Sequence, residues 1–464
     1  MGFGRLGLAA LLAWGWGFSV FAVPTAVAAP SERTVIRIGA VVDQTGGSTS
    51  PLYRAAVELA ATQMNAALDR SGSRLRFELA FGDSKSNPQS AQSEALRLIN
   101  QDRVKALVTD NSGVTVAVNK LNYDPTSPAQ QQVPITCFQC SSSFINDANA
   151  TESDPLTQAA ERDLENWLFR VFYVAKYEAA VLLQIALSKT GNGKGNRDGN
   201  FKIAVFADAG HRALATGIAA TLPSFYQEPS STEIVYASTL DKVAAGWVKV
   251  IDSINETTGK ADGAPDIVIV AMLPEAAAEA IKTYRQAGYT FPIVSNNSFR
   301  RNYIIRRMGA VAEGLEGSSV VLVDKSPSGE AFLQAFKAAT GESPEMTSSG
   351  AYDATVTLML AALVAAGDAQ RPRDVTSSQI RDALGRINDK GGQKVRPTVE
   401  DFGLAIRAIS QGKPIDYEGA YNSEGWDAVG DMFPPLVHWK VEKEQFVEYE
   451  LYRCSPQQPL CPSK

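Results

Sequence analysis

The chain has 464 residues, 45% of them hydrophobic and 20% charged. That balance excludes a disordered chain, and the length exceeds one ordinary domain. A formal net charge of -6, with no long basic run, gives no ground for a nucleic-acid partner.

Arg5 is the first charge and Glu32 the next. The apolar stretch between them ends in Ala26-Val27-Ala28-Ala29-Pro30, small residues at the spacing a signal peptidase accepts. The expectation is a cleaved signal peptide over residues 1–29, rather than an uncleaved anchor, and no later segment reads as apolar enough to span a bilayer. No cysteine stands at the cleavage point to carry a lipid.

Strands and helices then alternate. Residues 34–43 are apolar and β-branched and run into the loop Gln44-Thr45-Gly46-Gly47-Ser48. Ser50-Pro51 opens a helix, with Ser as N-cap and Pro at the first helical position. Leu52, Ala56, Leu59, Ala60 and Met64 keep its apolar stripe. Residues 75–82 read as a strand and Asn87-Pro88 opens the next helix. Residues 104–109 form a buried strand, Ser112 reads as the cap of a third helix, and 133–136 is a fourth strand. Residues 137–165 are polar and turn-rich and read as a surface excursion. A helix is expected over 169–190 and a flexible loop over 191–200.

A second series follows: strands at 202–207, 233–238, 266–272 and 291–295, with helices from Ala213, around Val248 and over 274–286. Short buried strands separated by helices mean a parallel sheet with right-handed crossovers. Two such series mean an α/β chain of two doubly wound lobes. Later come a strand at 320–323, helices at 329–340 and 349–366, and a strand- and turn-like stretch over 402–451. No solenoid repeat is present. The expected organisation is lobe 1 over 34–165 and 325–412, and lobe 2 over 166–324 and 413–450. A tail over 451–464 carries a small disulfide loop.

The cysteines are Cys137, Cys140, Cys454 and Cys461. An even count in an exported chain suggests disulfides, and of the three connectivities 137–140 with 454–461 is the simplest. The Cys137-Phe138-Gln139-Cys140 spacing is also that of thiol–disulfide oxidoreductases, which set it at a helix N-terminus. A structural disulfide is the preferred reading over a redox one. Two local cysteines are too few for a metal site, and no cofactor is expected. The two histidines, His211 and His438, are distant, and no G-x-S-x-G, H-E-x-x-H or phosphate-loop pattern occurs, so no enzyme is expected.

Several segments together carry a resemblance. They are Ile36-Arg37-Ile38-Gly39-Ala40 with Gly46-Gly47, Phe81-Gly82-Asp83-Ser84, Ala351-Tyr352-Asp353-Ala354, and Tyr417-Glu418-Gly419-Ala420 followed by Ser423-Glu424-Gly425-Trp426-Asp427. In order and spacing they resemble the branched-chain amino acid (Leu/Ile/Val) binding proteins of ABC transporters, with the type I periplasmic binding fold, from about Val35 to Glu448. The resemblance implies two parallel-sheet lobes joined by three hinge crossings, placed near Glu165, Asp324 and Gly412. It also implies a monomeric periplasmic subunit that delivers a small polar molecule to a membrane permease. A sensory protein presenting its ligand to a receptor is the alternative.

Ligands of open α/β sheets bind beyond the carboxyl ends of the strands, where helix N-termini offer free N–H groups. In lobe 1 that points to Ser48, Ser112, Phe138, Gln139, Cys140 and Ser141. In lobe 2 it points to Asp208, His211, Met272 and Asn297. The resemblance places Ser112 where the family binds the ligand carboxylate, and Tyr352 where an aromatic often closes the pocket. Asn297 stands where the leucine-binding branch has an acid for the ligand ammonium. Either Asp208 or another carboxylate supplies that charge, or the ligand is an amide, a urea-like solute or an organic acid.

Overall fold

The computed structural model describes residues 33–46, 50–128, 131–191, 201–226, 230–236, 265–289, 291–323, 325–421 and 425–462. The expected signal segment, Ser48 and the helix around Val248 lie outside these residues.

Five strands make the first sheet: β1 (Thr34–Val42), β2 (Leu75–Asp83), β3 (Ala106–Asn111), β4 (Ile135–Gln139) and β5 (Leu168–Arg170). Their order is β2-β1-β3-β4-β5 and every pairing is parallel. Three of the connecting helices start alike. Ser50, Asn87 and Asp154 are N-caps whose side chains accept backbone N–H groups, each with Pro next. The cap satisfies donors the first turn leaves orphaned, and Pro has no N–H to waste there.

In the second sheet β6 (Phe201–Ala207), β7 (Ser230–Tyr236), β8 (Ile267–Ala271), β9 (Ile293–Ser295) and β10 (Glu316–Val320) are parallel. After a two-stranded pair, β11 (Gln393–Val395) with β12 (Ile415–Tyr417), the chain adds β13 (Leu436–Glu442) and β14 (Gln445–Tyr452) as antiparallel edge strands. The order is β14-β13-β10-β9-β8-β6-β7. A Cβ on Gly317 would lie 1.9 Å from the Ser295 carbonyl oxygen and 2.5 Å from Trp439, so only glycine lets these strands pack here.

The helix Ser348–Ala366 packs against Pro51–Arg70 and Ser377–Leu384 in the first lobe. It is long and apolar enough to cross a membrane, contrary to the reading that no later segment is, yet 89% of that window is buried in this lobe. A helix apolar all round is a core helix when neighbours cover every face.

Several expected elements differ. The helix expected over 169–190 is β5 followed by the helix Ala175–Lys189. The strand expected at 320–323 ends at Val320. The stretch expected to be strand-like from Phe402 opens in the helix Val399–Ser410, capped by Thr398. The 137–165 excursion is anchored: Arg170, fully buried, donates to the carbonyls of Ser142 at 2.9 Å and Ile145 at 2.6 Å.

β5 pairs with β4, and β12 with β11, so the first and third crossings run later than Glu165 and Gly412. The chain leaves the first sheet only after Arg170. On its return Tyr421 still donates its N–H to Asp353 of the first lobe. The hinge point expected at Asp324 lies outside the described residues.

Candidate functional site

At the strand ends of the first sheet, Asp43, Asp83 and Asp110 are tied into their own loops. Asp110 accepts from the N–H of Asp43 at 2.6 Å and of Asn111 at 2.7 Å. Burial pushes its carboxyl up to about 7, and these N–H groups pull against that rise. Asp83 accepts from Gln44 N and Lys85 N, and Asp43 from Gly46 N and the Ser86 hydroxyl. The cap of the helix Ser112–Tyr123 is Asn111, whose Oδ1 takes the Val114 N–H at 3.0 Å. That corrects the expected cap and frees Ser112. Its Oγ accepts the Ser142 N–H at 3.2 Å, which joins the Ser112 loop to the segment after β4.

Ser141, the residue before Ser142, lies near the hydroxyl of Tyr173, a fully buried residue of the first crossing, and favours its ionised form against burial. Tyr173 donates in turn to Glu178 Oε2 at 2.6 Å and receives the Asn297 side-chain N–H. Glu178 lies at the start of the helix Ala175–Lys189 and is fully buried. It also accepts the Asn297 N–H at 2.7 Å and the Ser318 hydroxyl at 2.9 Å. The Asn297 side-chain amide donates to it as well, at 3.1 Å, and burial raises its pKa against the pull of these four donors.

The next residue, Ser298, meets His211 Nε2 at 2.9 Å, and His211 Nδ1 meets Asp208 Oδ1 at 2.7 Å. Asp208 Oδ2 accepts the Leu273 N–H at 2.7 Å. Its pKa is lowered: burial opposes the shift, and His211 together with that N–H outweighs it.

Of the expected site residues, Asn297 shares a hydrogen-bonded cluster with Tyr173 and Glu178, while Ser112 and the His211–Asp208 pair are tied to Ser142 and Ser298, the chain neighbours of Ser141 and Asn297. Others have different work. Phe138 is buried against Tyr53 at 5.4 Å between ring centroids, and Met272 is wholly buried in the second-lobe core. Tyr352 packs on Phe332 and hydrogen-bonds Gln63 inside the first lobe. Gln139 points a buried Oε1 that has no partner among the described residues. Tyr173, Glu178, Ser298 and Ser318 were absent from the sequence reading. They sit on a crossing, a helix start, a turn and a strand, and only the fold gathers them.

Cys137 is bonded to Cys140 and Cys454 to Cys461. Cys137 lies inside β4, both members of that pair are buried, and no helix starts at Ser141, so the setting a redox motif uses is missing. The Cys454–Cys461 loop is pinned to the second lobe by Gln184, which donates to the carbonyls of Leu460 and Cys461. Among the described residues no group of three His, Cys, Asp or Glu side chains is placed to hold a metal.

A cavity of about 560 Å³ is lined by none of the residues of this cluster, its nearest in sequence being Arg300, three residues after Asn297. Arg301 and Arg306, from the segment after Asn297, line it with Phe446 on one wall, and Glu345 and Met346 of the first lobe line the other.

The sequence model of the family described as periplasmic binding protein matches residues 35–226 and 249–392. The match covers well over half of the chain, and the chain belongs to that family. No curated protein matches the sequence. Among solved structures it is similar to the leucine-binding protein LivK of Thermotoga maritima, at 15% identity and a TM-score of 0.63, covering 91% of this chain and 99% of that one. It is similar to LivJ of Streptococcus pneumoniae in complex with isoleucine, at 19% identity and a TM-score of 0.59, covering 90% and 100%. A third is a solute-binding protein of R. palustris in complex with 4-hydroxybenzoate, at 15% identity and 0.61, covering 91% and 98%. At these identities the likeness establishes the type I periplasmic binding fold.

Proposed function

We propose that this periplasmic binding protein is the extracytoplasmic solute-binding subunit of an ABC importer, which holds a small polar ligand between its lobes and hands it to a membrane permease without altering it. The observation that carries the reading is the buried cluster of Tyr173, Glu178, Asn297 and Ser318, flanked by the Ser112–Ser142 contact on one side and Ser298–His211–Asp208 on the other. It joins strand ends of both sheets, where ligands of such sheets bind. Export to the periplasm fits the small-residue run at 26–29 and the two disulfides, which persist in oxidising compartments. The lobes are taken as residues 33–170 with 325–421, and 175–320 with 435–452. The chain acts as a monomer.

Structural relatives are recorded with isoleucine, benzoate and 4-hydroxybenzoate, all small carboxylates. Closure by a hinge at the crossings follows only as far as the ligand makes extra contacts in the closed state. A thermal-shift series on the mature chain with amino acids, amides, urea and organic acids tests the reading. A ligand that binds the folded state alone raises the melting temperature by mass action. Small-angle scattering should then show a smaller radius of gyration with that ligand. A series in which no solute shifts the melting temperature would sink the proposal.

A further inference from the structure

The charges around the lobe junction decide what kind of solute fits, if the solute-binding reading holds. An α-amino acid brings an ammonium, and burying it without an anion is costly. The two acids of the network, Asp208 and Glu178, are already engaged. Asp208 is paired with His211 and holds the Leu273 N–H. Glu178 is ringed by the N–H and side-chain amide of Asn297, the Ser318 hydroxyl and the Tyr173 hydroxyl. Asn297 itself is uncharged.

Cations show the reverse. Arg300 is engaged: it donates to Ser319 Oγ at 2.8 Å and to Glu448 Oε1 at 2.8 Å. Arg301, its neighbour, has a buried Nη1 with no hydrogen-bond partner among the described residues. Arg306 makes no ion pair with a described residue and lines the same cavity. Glu345 on the opposite wall takes the Ser50 hydroxyl at 2.7 Å and forms no ion pair with Arg301 or Arg306. A buried guanidinium N–H without an acceptor costs free energy that an incoming oxyanion removes. The planar fork of arginine suits a carboxylate in particular. Leu322, Met346 and Phe446 add an apolar wall, and about 560 Å³ is room for a small organic molecule.

We infer that the solute is an organic carboxylate with an apolar body and no α-ammonium, and that Arg301, aided by Arg306, receives its carboxylate in the cavity between the helix Asn302–Met308 and Glu345–Met346. Arg301 is thus a specificity-determining residue that an amino-acid reading of the fold does not require.

Titration calorimetry on the mature full chain tests this with benzoate, 4-hydroxybenzoate, hexanoate and succinate, set against benzamide, hexanamide and leucine. At least one carboxylate should bind, and its amide should bind tenfold or more weakly. Arg301→Gln should weaken that carboxylate at least tenfold, and Arg306→Gln less. Glu345→Gln, which removes from the opposite wall a charge of the ligand's own sign, should raise affinity. Urea unfolding of Arg301→Gln should match the wild type, which separates lost recognition from lost folding. Carboxylate binding untouched by Arg301→Gln overturns the inference, and so does a preference for leucine or an amide, although solute binding then survives. Equal weakening by Arg301→Gln and Glu345→Gln identifies an ion pair that closes the lobes and also overturns it. If nothing in the panel binds, the inference falls, and the proposed function is then decided by the wider thermal-shift series.

Discussion

The strand ends of the first lobe gather acids and those of the second hold Asp208 as well as arginines, and the groups differ more in availability than in sign. In the first lobe Asp43, Asp83 and Asp110 lie side by side and each is saturated by loop N–H groups and hydroxyls. In the second lobe Arg300 is equally saturated, while Arg301, one residue on, keeps an unpartnered buried nitrogen. A count of acids near a cleft therefore says little about its ligand. Loops that leave parallel strands expose backbone donors, and a short Asp side chain is their nearest acceptor. A long Arg side chain has no such local acceptor and depends on what distant segments or the ligand bring, as Ser319 and Glu448 do for Arg300.

The sharpest way to test that contrast is to strip the partner from an engaged arginine. Arg170 is wholly buried, with Nε 2.9 Å from Asp431 Oδ1 though off the hydrogen-bond axis. Asp431→Ala leaves a buried cation uncompensated and should cost about 3–5 kcal/mol in urea unfolding. Arg301→Gln removes a guanidinium with nothing to lose and should stay within about 0.5 kcal/mol of wild type. Similar losses in both variants would erase the distinction.

Glu178 comes next. Glu178→Ala strands the N–H of Asn297 and the hydroxyls of Ser318 and Tyr173, all buried. A loss of about 3 kcal/mol is expected in the same assay. A stability unchanged by that substitution would mean that water satisfies these donors and that the network does not tie the lobes together.

Asp110 tests the first lobe by pH. Its folded pKa, about 7, stands above the ordinary 3.8, so its stabilising contribution is complete below the lower value and lost as pH rises through the upper. Wild type should lose about 3 kcal/mol relative to Asp110→Asn between pH 4 and pH 7, and run parallel to it above about pH 8. Parallel curves throughout would show that Asp110 is ionised and fully solvated by its donors.

Much of this architecture was legible because its signals are local. Ser50-Pro51 and Asn87-Pro88 announce helices that start as read, and the apolar strands of both sheets need no long-range information. Failures have physical causes. β5 is only three residues long and was absorbed into the helix behind it. The Val399–Ser410 helix carries its signal openly, Thr398 as cap with Phe402, Ala405, Ile406 and Ile409 on one face, but Gly and Pro further on outweighed it. Ser112 lost the cap because the Asn111 side chain reaches the Val114 N–H. Tyr173 and Glu178 could not be found from sequence, since their partners lie in the Asn297 turn and on β10, far along the chain.

The smallest expected effect concerns Ser112. Its hydroxyl caps nothing, so Ser112→Ala should leave the helix Ser112–Tyr123 and global stability nearly unchanged, with Asn111 still in place. What it removes is the acceptor for the Ser142 N–H, and with it one restraint on the segment that carries Ser141 to Tyr173. If that segment is a wall of the ligand site, ligand affinity should fall by about 1 kcal/mol, close to fivefold, for the carboxylate found in the panel. The same fall should appear whether or not Arg301 is intact, because the two residues lie on opposite lobes and share no partner. Calorimetry on Ser112→Ala, Arg301→Gln and the double variant measures this directly. Additive losses fit one ligand held from both lobes. A double variant no weaker than Arg301→Gln alone would mean that Ser112 acts only through the arginine's grip, and that the first lobe closes over the ligand without touching it.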